Sequence, residues 1–209
     1  MLENMREIGR IKLVQVQPTP LKIRERPNAY YDPSPLLVVD TLLVSPCGAI
    51  GVTAEGGHIT DIHHAQHQAS RNSHGKNDLS VGFTSHYAAM RARFGQHLID
   101  GCAGENILVD TERPFTLTDL EKGLAIQNPD TGQIVYLAQL KVAAPCVEFS
   151  LYAANFGMPL PAHELQEALQ FLHKGRRGFY ARLAEHQNSG SVRTNDRVFI
   201  PDVIQERLE

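Results

Sequence analysis

The sequence predicts a single, mainly β domain, and three observations lead to this prediction. The 209-residue chain has the length of one sizeable domain, and no internal repeat or linker divides it. Its 16 Gly and 12 Pro are scattered along the chain, which indicates many turns. Many apolar residues recur in alternating or short continuous runs, which are typical of strands.

The first third of the chain favours strands. "IGRIKLVQVQP" alternates Ile11 and Leu13 with polar residues and predicts an opening strand that Pro18 stops. "LKIRERPNAYYDPSP" is polar and rich in proline, so we expect a surface loop or an irregular edge. "LLVVDTLLVSPCGAIGV" is apolar and β-branched and predicts one or two buried strands around a turn at Pro46 and Gly48.

A long polar loop and several further elements follow. Residues 63–80, "HHAQHQASRNSHGKNDLS", have no periodicity, and long loops of this kind are often functional. "FTSHYAAMRARFGQHL" predicts a helix that Thr84 or Ser85 caps and Gly95 ends. We expect a short strand in "ILVD", two strands around the turn "NPDTG", helices in "VEFSLYAANFG" and "PAHELQEALQFLHKG", and final strands in "GFYARLAE" and "NDRVFI".

Composition narrows the classes of function. The 20 basic and 23 acidic residues give a net charge of −3, which does not indicate a nucleic-acid or membrane surface. Three cysteines without a C-x-x-C pattern favour a reducing compartment. The N-terminus has no apolar core of a signal peptide, and no run reaches membrane-spanning length. We expect a cytoplasmic protein whose partner is a small molecule.

Cys146 is the first candidate site residue because of its position in the chain. The preceding run ends at Pro145, which cannot donate a ladder hydrogen bond, so the thiol is expected in a loop at a strand's exit. A thiolate there can act as a nucleophile, a persulfide carrier or a soft-metal ligand. The alternative is a buried structural cysteine, and the local sequence leaves both open.

Several segments carry groups that suit a phosphate or another anion. The polar loop and "KGRRGFYARLAE" supply cationic donors, and the small residues of "CAGEN" let backbone amides approach a ligand closely. Glu105 and Asn106 add a carboxylate and an amide beside a strand. Ordinary turns and a solvated helix end are the alternative explanation. The candidates for anion binding are Arg71, His74, Lys76, Gly104, Arg176, Arg177 and Arg182.

A second kind of site is a histidine metal centre. His63, His67 and His74 lie in the polar loop and could hold zinc or non-haem iron. The segment has no helical apolar stripe and no H-E-x-x-H pattern. Metal binding by these histidines therefore stays an alternative.

Four motifs in order give the sequence a resemblance to a known family. "HGKNDLSVGFTSHYAAMRARFG", "GCAGENILVD", "AAPCVEF" and "GRRGFYARL…SVRTNDRV" together resemble the MOSC family, named for the C-terminal domain of molybdenum-cofactor sulfurases, in its stand-alone bacterial form. The resemblance runs from about residue 8 to residue 203, so we expect one MOSC domain. It implies a β-barrel with a few peripheral helices and a pocket for the molybdenum cofactor, a pterin dithiolene that bears a phosphate.

The resemblance also assigns expected roles. The family's cysteine, thought to bind molybdenum or to carry sulfur for it, matches Cys146, and the family's G-E-N loop matches Gly104, Glu105 and Asn106. Arg177 stands where many relatives have proline. The pyridoxal-phosphate desulfurase of larger sulfurases is a separate domain that we do not expect in 209 residues.

The leading hypothesis is a molybdenum-cofactor-dependent oxidoreductase that reduces N-hydroxylated or N-oxide substrates at Cys146. A separate flavin or iron–sulfur partner would supply electrons, because the chain has no G-x-G-x-x-G and no cysteine cluster. One alternative is a carrier of sulfur or of the cofactor that acts through Cys146. Another is a metal-dependent hydrolase that uses His63, His67 and His74.

Overall fold

A computed structural model describes residues 4–24, 29–70 and 78–201. Within these ranges the chain forms fourteen strands and four helices. The strands are β1 (Met5–Val16), β2 (Lys22–Arg24), β3 (Ala29–Tyr31), β4 (Leu37–Val39), β5 (Thr41–Ser45), β6 (Gly48–Val52), β7 (His58–Thr60), β8 (Leu79–Phe83), β9 (Ile107–Asp110), β10 (Leu124–Gln127), β11 (Ile134–Val142), β12 (Phe179–Leu183), β13 (Gly190–Arg193) and β14 (Arg197–Pro201). The helices are α1 (Thr84–Phe94), α2 (Leu117–Leu120), α3 (Val147–Asn155) and α4 (Ala162–His173).

Seven strands close into a barrel in the order β14-β10-β11-β12-β8-β9-β1, and β1 pairs again with β14. The β8–β9 pairing is parallel, and the other barrel pairings of the described residues are antiparallel. The long strand β1 makes closure possible because its first half pairs with β14 and its second half with β9. The prediction of a mainly β fold with a barrel and few helices is confirmed.

Two smaller sheets flank the barrel. Strands β13, β5, β6 and β7 form a four-stranded antiparallel sheet, and β2 and β3 form a two-stranded hairpin. In the hairpin, Lys22 pairs with Tyr31. Nζ of Lys22 also lies 3.3 Å from Oε2 of Glu148 in α3, so the hairpin is next to this helix. This contact brings the hairpin close to Cys146.

Apolar side chains form two buried clusters. The larger one joins strands of the barrel and the four-stranded sheet, and Val81, Phe83 and Leu42 in it are fully buried. The second packs helices α1, α3 and α4 against the barrel through Tyr87, Phe149 and Leu172. Full burial of each large apolar side chain contributes about 1.5–3 kcal/mol. These clusters fix the positions of the helices and loops around the candidate site.

Several sequence predictions hold in the structure. The opening strand, the helix that Gly95 ends, the strand at Ile107 and both later helices are present. The predicted cap of α1 is wrong, because Phe83 occupies the N-cap position without a side-chain bond. The Thr84 hydroxyl instead donates to Oδ1 of Asp110 at 2.8 Å and ties α1 to the end of β9.

The structure also corrects the predicted loops. The end of the predicted polar loop is strand β8, which is buried at all five positions; Leu79, Val81 and Phe83 belong to the apolar core, and Ser80 and Gly82 alternate with them. The predicted surface loop after β1 contains the short hairpin strands β2 and β3. Strand β13 and the one-turn helix α2 were also not predicted; α2 begins with a capping box between Thr116 and Asp119. In the described ranges, no helix is long and apolar enough to cross a membrane.

Candidate functional site

A cavity of about 420 Å³ lies between the β2–β3 hairpin, the loop before β9 and the start of α3. Its volume is within the range of small-molecule and cofactor sites. Two sequence-predicted loops meet here, since Gly104 and Glu105 come from one and Cys146 from the other. The lining residues are Gln17, Pro20, Leu21, Lys22, Arg24, Tyr31, Ile62, His63, Ala69, Ser80, Ala103, Gly104, Glu105, Ala143, Cys146, Arg177 and Tyr180.

Cys146 lies at the N-cap position of α3. Its backbone is extended, with φ −95° and ψ 163°, and Sγ accepts a hydrogen bond from the Phe149 amide at 3.4 Å. The sulfur therefore stands at the positive end of the α3 dipole, next to amides that favour anionic groups. The residue is partly exposed and lines the cavity, so its thiol is accessible to a ligand there.

Glu148 lies in the first turn of α3, close to the thiol. Burial opposes its ionisation, but hydrogen bonds from its own amide and from the Cys146 thiol, together with Lys22, lower the pKa of the Glu148 carboxyl. A charged carboxylate thus connects Cys146 to the β2–β3 hairpin. Sequence analysis did not identify this residue, although its position two residues after Cys146 in a predicted helix was a usable signal.

Glu105 is a deeply buried carboxyl of the cavity lining, with 2% of its surface exposed. The Tyr87 hydroxyl donates to Oε2 at 2.7 Å, whereas Oε1 has no hydrogen-bond partner among the described residues. Burial raises the pKa of Glu105 to about 7, although the Tyr87 hydrogen bond and the charge of Arg177 act in the opposite direction. The side chain can therefore exchange a proton near neutral pH.

Two glycines make room for the Glu105 carboxyl. A Cβ at Gly82 would lie 2.7 Å from Oε1, and a Cβ at Gly178 would lie 3.2 Å from Cγ of the same side chain. Both backbones thus contact the carboxyl in a way that a larger residue would prevent. Gly178 belongs to the "GRRGFYAR" motif, so this motif shapes the wall beside Glu105.

Arg177 supplies a permanent positive charge at the cavity. Its Nη2 donates to the Ala103 carbonyl at 3.2 Å, and its Cζ lies 5.7 Å from the centroid of the Phe149 ring. Nε is buried and has no hydrogen-bond partner among the described residues. A partly buried guanidinium with an unused buried donor is suited to an anionic or carbonyl-bearing ligand.

Tyr31 forms the hairpin side of the cavity. Its hydroxyl donates to the Cys102 carbonyl at 2.8 Å, and its ring packs edge-on against Phe149 at a centroid distance of 5.0 Å. Burial raises the pKa of Tyr31 well above its usual value. The phenol therefore stays neutral and acts as a rigid wall next to the start of α3.

A buried polar network behind the cavity holds the loop that carries Glu105. Asn106 Nδ2 donates to Oδ2 of Asp61 at 2.9 Å, and Asn106 Oδ1 accepts from both the amide and the hydroxyl of Ser80 at 3.0 Å. Gln15 Nε2 donates to the carbonyls of Gly101 and Glu105, both at 2.8 Å. Asn106 therefore positions the loop from behind and does not itself line the cavity.

Gly104 is the turn residue of this loop. Its φ of +88° is in the left-handed region that favours glycine. Its amide donates to the Gly101 carbonyl at 2.9 Å, and its carbonyl accepts from the Ser80 hydroxyl at 3.3 Å. The amide that the sequence offered for anion binding is thus engaged within the turn.

Asp61 orders the start of the histidine-rich segment. Its carboxylate is fully buried and accepts bonds from the Gln17 amide at 2.8 Å and from the His63 amide and ring Nδ1, both at 2.9 Å. Burial alone would raise the pKa of Asp61, but these bonds outweigh it and lower the pKa. His63 thereby lines the cavity in a fixed orientation.

His64 and His67, the other described histidines of this segment, are engaged in local bonds. His67 Nε2 lies 3.0 Å from the Pro18 carbonyl, and its Nδ1 accepts from the Ala69 amide at 3.1 Å. Burial lowers the pKa of His64, whose Nδ1 accepts from the Gln66 amide. No group of three or more His, Cys, Asp or Glu side chains in the described ranges is placed to hold a metal ion.

The remaining predicted residues lie in three places. The Arg176 guanidinium donates to the Phe171 carbonyl at 2.9 Å and stacks on that ring, away from the cavity lining. Arg182 Nε donates to Oδ2 of Asp78 at 3.0 Å, and Asp78 directly precedes β8. Arg71, His74 and Lys76 lie outside the described residues.

The structure thus combines a closed seven-stranded barrel with a candidate site, in which a thiol at a helix N-terminus lines a cavity beside the barrel. The sequence model of the MOSC domain matches residues 62–199, which is more than half of the chain. The chain therefore belongs to the MOSC domain family, which is associated with binding of the molybdenum cofactor.

Solved structures share the fold at low sequence identity. The YuaD protein from Bacillus subtilis is 15% identical, with a TM-score of 0.57 over 95% of this chain and 98% of that chain. A hypothetical protein is 13% identical, with a TM-score of 0.50 over 95% of this chain and 71% of that chain. YiiM from Escherichia coli is 12% identical, with a TM-score of 0.48 over 93% of this chain and 71% of that chain. A comparison with curated proteins found no match.

Proposed function

We propose that this chain binds the molybdenum cofactor through Cys146 and reduces N-hydroxylated or N-oxide substrates with electrons from a separate flavin or iron–sulfur protein. The observation that carries the proposal is the accessible Cys146 thiol at the N-terminus of α3, in a cavity of about 420 Å³ of a MOSC domain. A thiolate is a ligand that suits a soft metal site.

The donor set of the cavity fits this group. Since no three metal-ligating side chains cluster in the described ranges, a metal at Cys146 would take its other ligands from a bound group, as a dithiolene provides. Arg177 brings a positive charge and an Nε that has no hydrogen-bond partner among the described residues. This group complements the anionic part of a pterin dithiolene.

The bound cofactor would supply the two-electron oxo-transfer chemistry. The chain's own residues have other tasks. Cys146 would hold the metal at the start of α3, and Arg177 would orient the anionic part of the group. Leu21, Tyr31 and Ile62 would exclude water from the inner wall, where Tyr31 and Leu21 are almost completely buried.

A turnover assay tests the proposal. Protein is expressed in a host that makes the molybdenum cofactor, and reduction of hydroxylamine-type and N-oxide compounds is measured with a reduced dye as electron donor. We expect turnover in proportion to molybdenum content, and none in Cys146→Ser. Full loading without turnover on either compound class would contradict the reductase proposal.

The second candidate is a carrier of sulfur or cofactor. It is favoured by the same partly exposed thiol, which an acceptor protein could reach. A persulfide on Cys146 in protein without molybdenum, detected by mass spectrometry after thiol alkylation, would support it. A histidine-metal hydrolase has less support, since both ring nitrogens of His67 are engaged in local hydrogen bonds.

A further inference from the structure

Glu105 differs from every other described residue that lines the cavity, because it carries the sole carboxyl there. The side chain is held firmly: Tyr87 bonds Oε2, and the backbones of Gly82 and Gly178 contact its other atoms. Oε1 has no partner among the described residues. A rigid, buried carboxyl with one unused oxygen is suited to proton exchange with a ligand.

Reduction of an N-hydroxylated compound requires protons as well as electrons. The N–O bond breaks, two electrons enter from the donor protein, and two protons are taken up, giving an amine and water. The oxygen leaves as water only if it is protonated, and the inner wall of this cavity is closed by buried side chains. A proton donor held within the cavity can deliver one of these protons directly at the inner wall.

We propose that Glu105 supplies one proton to the departing oxygen of the substrate, an inference that rests on the proposed reductase function. The second proton comes from solvent, and solvent also reprotonates Glu105 between turnovers. The carboxylate left behind is stabilised by the Tyr87 hydroxyl and by the positive charge of Arg177. A pKa near 7 suits this task, because such a group both holds and releases a proton at neutral pH.

The groups around Glu105 determine whether its pKa is raised or lowered. Burial and the negative charge of Asp100 favour the neutral carboxyl, whereas Tyr87 and Arg177 favour the carboxylate. Tyr31 and Cys102 also interact with it and stay neutral, since burial raises the pKa of both. Because Tyr31 and Cys102 stay neutral near pH 7, Glu105 is the one of these three groups that exchanges a proton there.

The first test does not need a loaded enzyme. Infrared difference spectra of cofactor-free protein are recorded across a pH series for the wild type, Glu105→Gln and the surface control Glu167→Gln. We expect a band of a protonated carboxyl that disappears as the pH rises through about 7 in the wild type and the control, and that is absent in Glu105→Gln. A wild type without this band would overturn the proposal.

The second test uses loaded enzyme. In Glu105→Gln we expect kcat per molybdenum to fall about 100-fold or more, as for loss of a general acid, with molybdenum content retained. Wild-type kcat should decline above about pH 7. An unchanged kcat in Glu105→Gln would overturn the role of Glu105 and leave the reductase function standing. A loaded wild type without turnover would overturn the reductase function, and this role with it.

Tyr87→Phe keeps the proposal testable if Glu105→Gln does not fold. Loss of the hydroxyl removes a hydrogen bond that favours the carboxylate, so the infrared midpoint and the alkaline limb of kcat should both move to higher pH. The proposal would be contradicted if the pH midpoint of the infrared band rose in Tyr87→Phe while the pH at which kcat declines did not change. In that case the protonation of Glu105 would not control the reaction.

Discussion

The Tyr87 hydroxyl donates a 2.7 Å hydrogen bond to Oε2 of Glu105 and accepts one from the Ala103 amide at 3.0 Å. One side chain of α1 thus fixes both the candidate acid and the loop that carries it. Tyr87 is fully buried and packs with Met90 and Phe149, so the helices around the barrel determine where the carboxyl lies. Helix packing and site geometry are therefore coupled in this fold.

Stability should depend on pH through Glu105. Its pKa is raised in the folded state, so its contribution to stability is complete below about pH 4.5 and is lost as the pH rises to about 7. At about 1.4 kcal/mol per pKa unit, the wild type should lose about 3 kcal/mol relative to Glu105→Gln over this range. Urea unfolding of both proteins across the pH series measures the difference. A difference that is constant with pH would contradict the raised pKa.

Cys146 should tolerate serine better than alanine. Sγ accepts a bond from the Phe149 amide at the N-terminus of α3, and serine is a favourable N-cap residue whereas alanine is not. We expect Cys146→Ser to match the wild type within about 0.5 kcal/mol and Cys146→Ala to be less stable than serine by about 1 kcal/mol. Urea unfolding compares the three. If Cys146→Ser and Cys146→Ala lowered the free energy of unfolding equally, packing of the sulfur rather than helix capping would stabilise this position.

Arg177 and Arg176 are a matched pair of adjacent arginines. The Arg177 guanidinium lines the cavity, whereas that of Arg176 stacks on Phe171. Arg177→Met should lower pterin retention about 10-fold or more, equivalent to about 1.4 kcal/mol of binding, because it removes a partly buried charge and its N–H donors. The Arg176→Met variant should retain more pterin than the Arg177→Met variant. Greater loss in Arg176→Met would favour the sequence-based prediction that Arg176 binds the cofactor phosphate.

Asp61 should be important for stability at neutral pH. Asp61→Asn leaves the size unchanged but weakens the bonds from Gln17, His63 and Asn106, and bonds to charged groups contribute about 1.5–3 kcal/mol each. We expect a loss of about 2–3 kcal/mol in urea unfolding, with no comparable loss in the exposed control Asp40→Asn. The pKa of Asp61 is lowered, so its contribution is present above its ordinary value and is lost as the pH falls. A stability difference between the wild type and Asp61→Asn that stays the same at acidic pH would contradict this lowered pKa.

The sequence predicted those parts of the fold that have a local pattern. Alternation indicated β1, and the Pro145–Cys146 step marked the end of a strand and the start of a functional loop. Strand β8 was missed because its five residues, in which Leu79, Val81 and Phe83 alternate with Ser80 and Gly82, lie directly between a long polar segment and helix α1. Strands of three residues, such as β2, are too short for a periodic signal.

The site could be predicted only where its residues share a motif. Glu105 and Asn106 lie in one motif and Cys146 in another, and each was identified there. Tyr87 is 18 residues from its partner Glu105, and Asp61 is 45 residues from its partner Asn106. Closure of the barrel brings these pairs together, and no local pattern of the sequence encodes that distance.

Metal and pterin analysis tests the central claim most directly. Wild type and Cys146→Ser are expressed in a host that makes the molybdenum cofactor, purified in parallel and analysed for molybdenum and pterin per chain, with unfolding curves to establish that both are folded. We expect near-stoichiometric molybdenum and pterin in the wild type and loss of molybdenum in Cys146→Ser. Equal molybdenum in both folded proteins, or none in either, would contradict the account that Cys146 holds the metal.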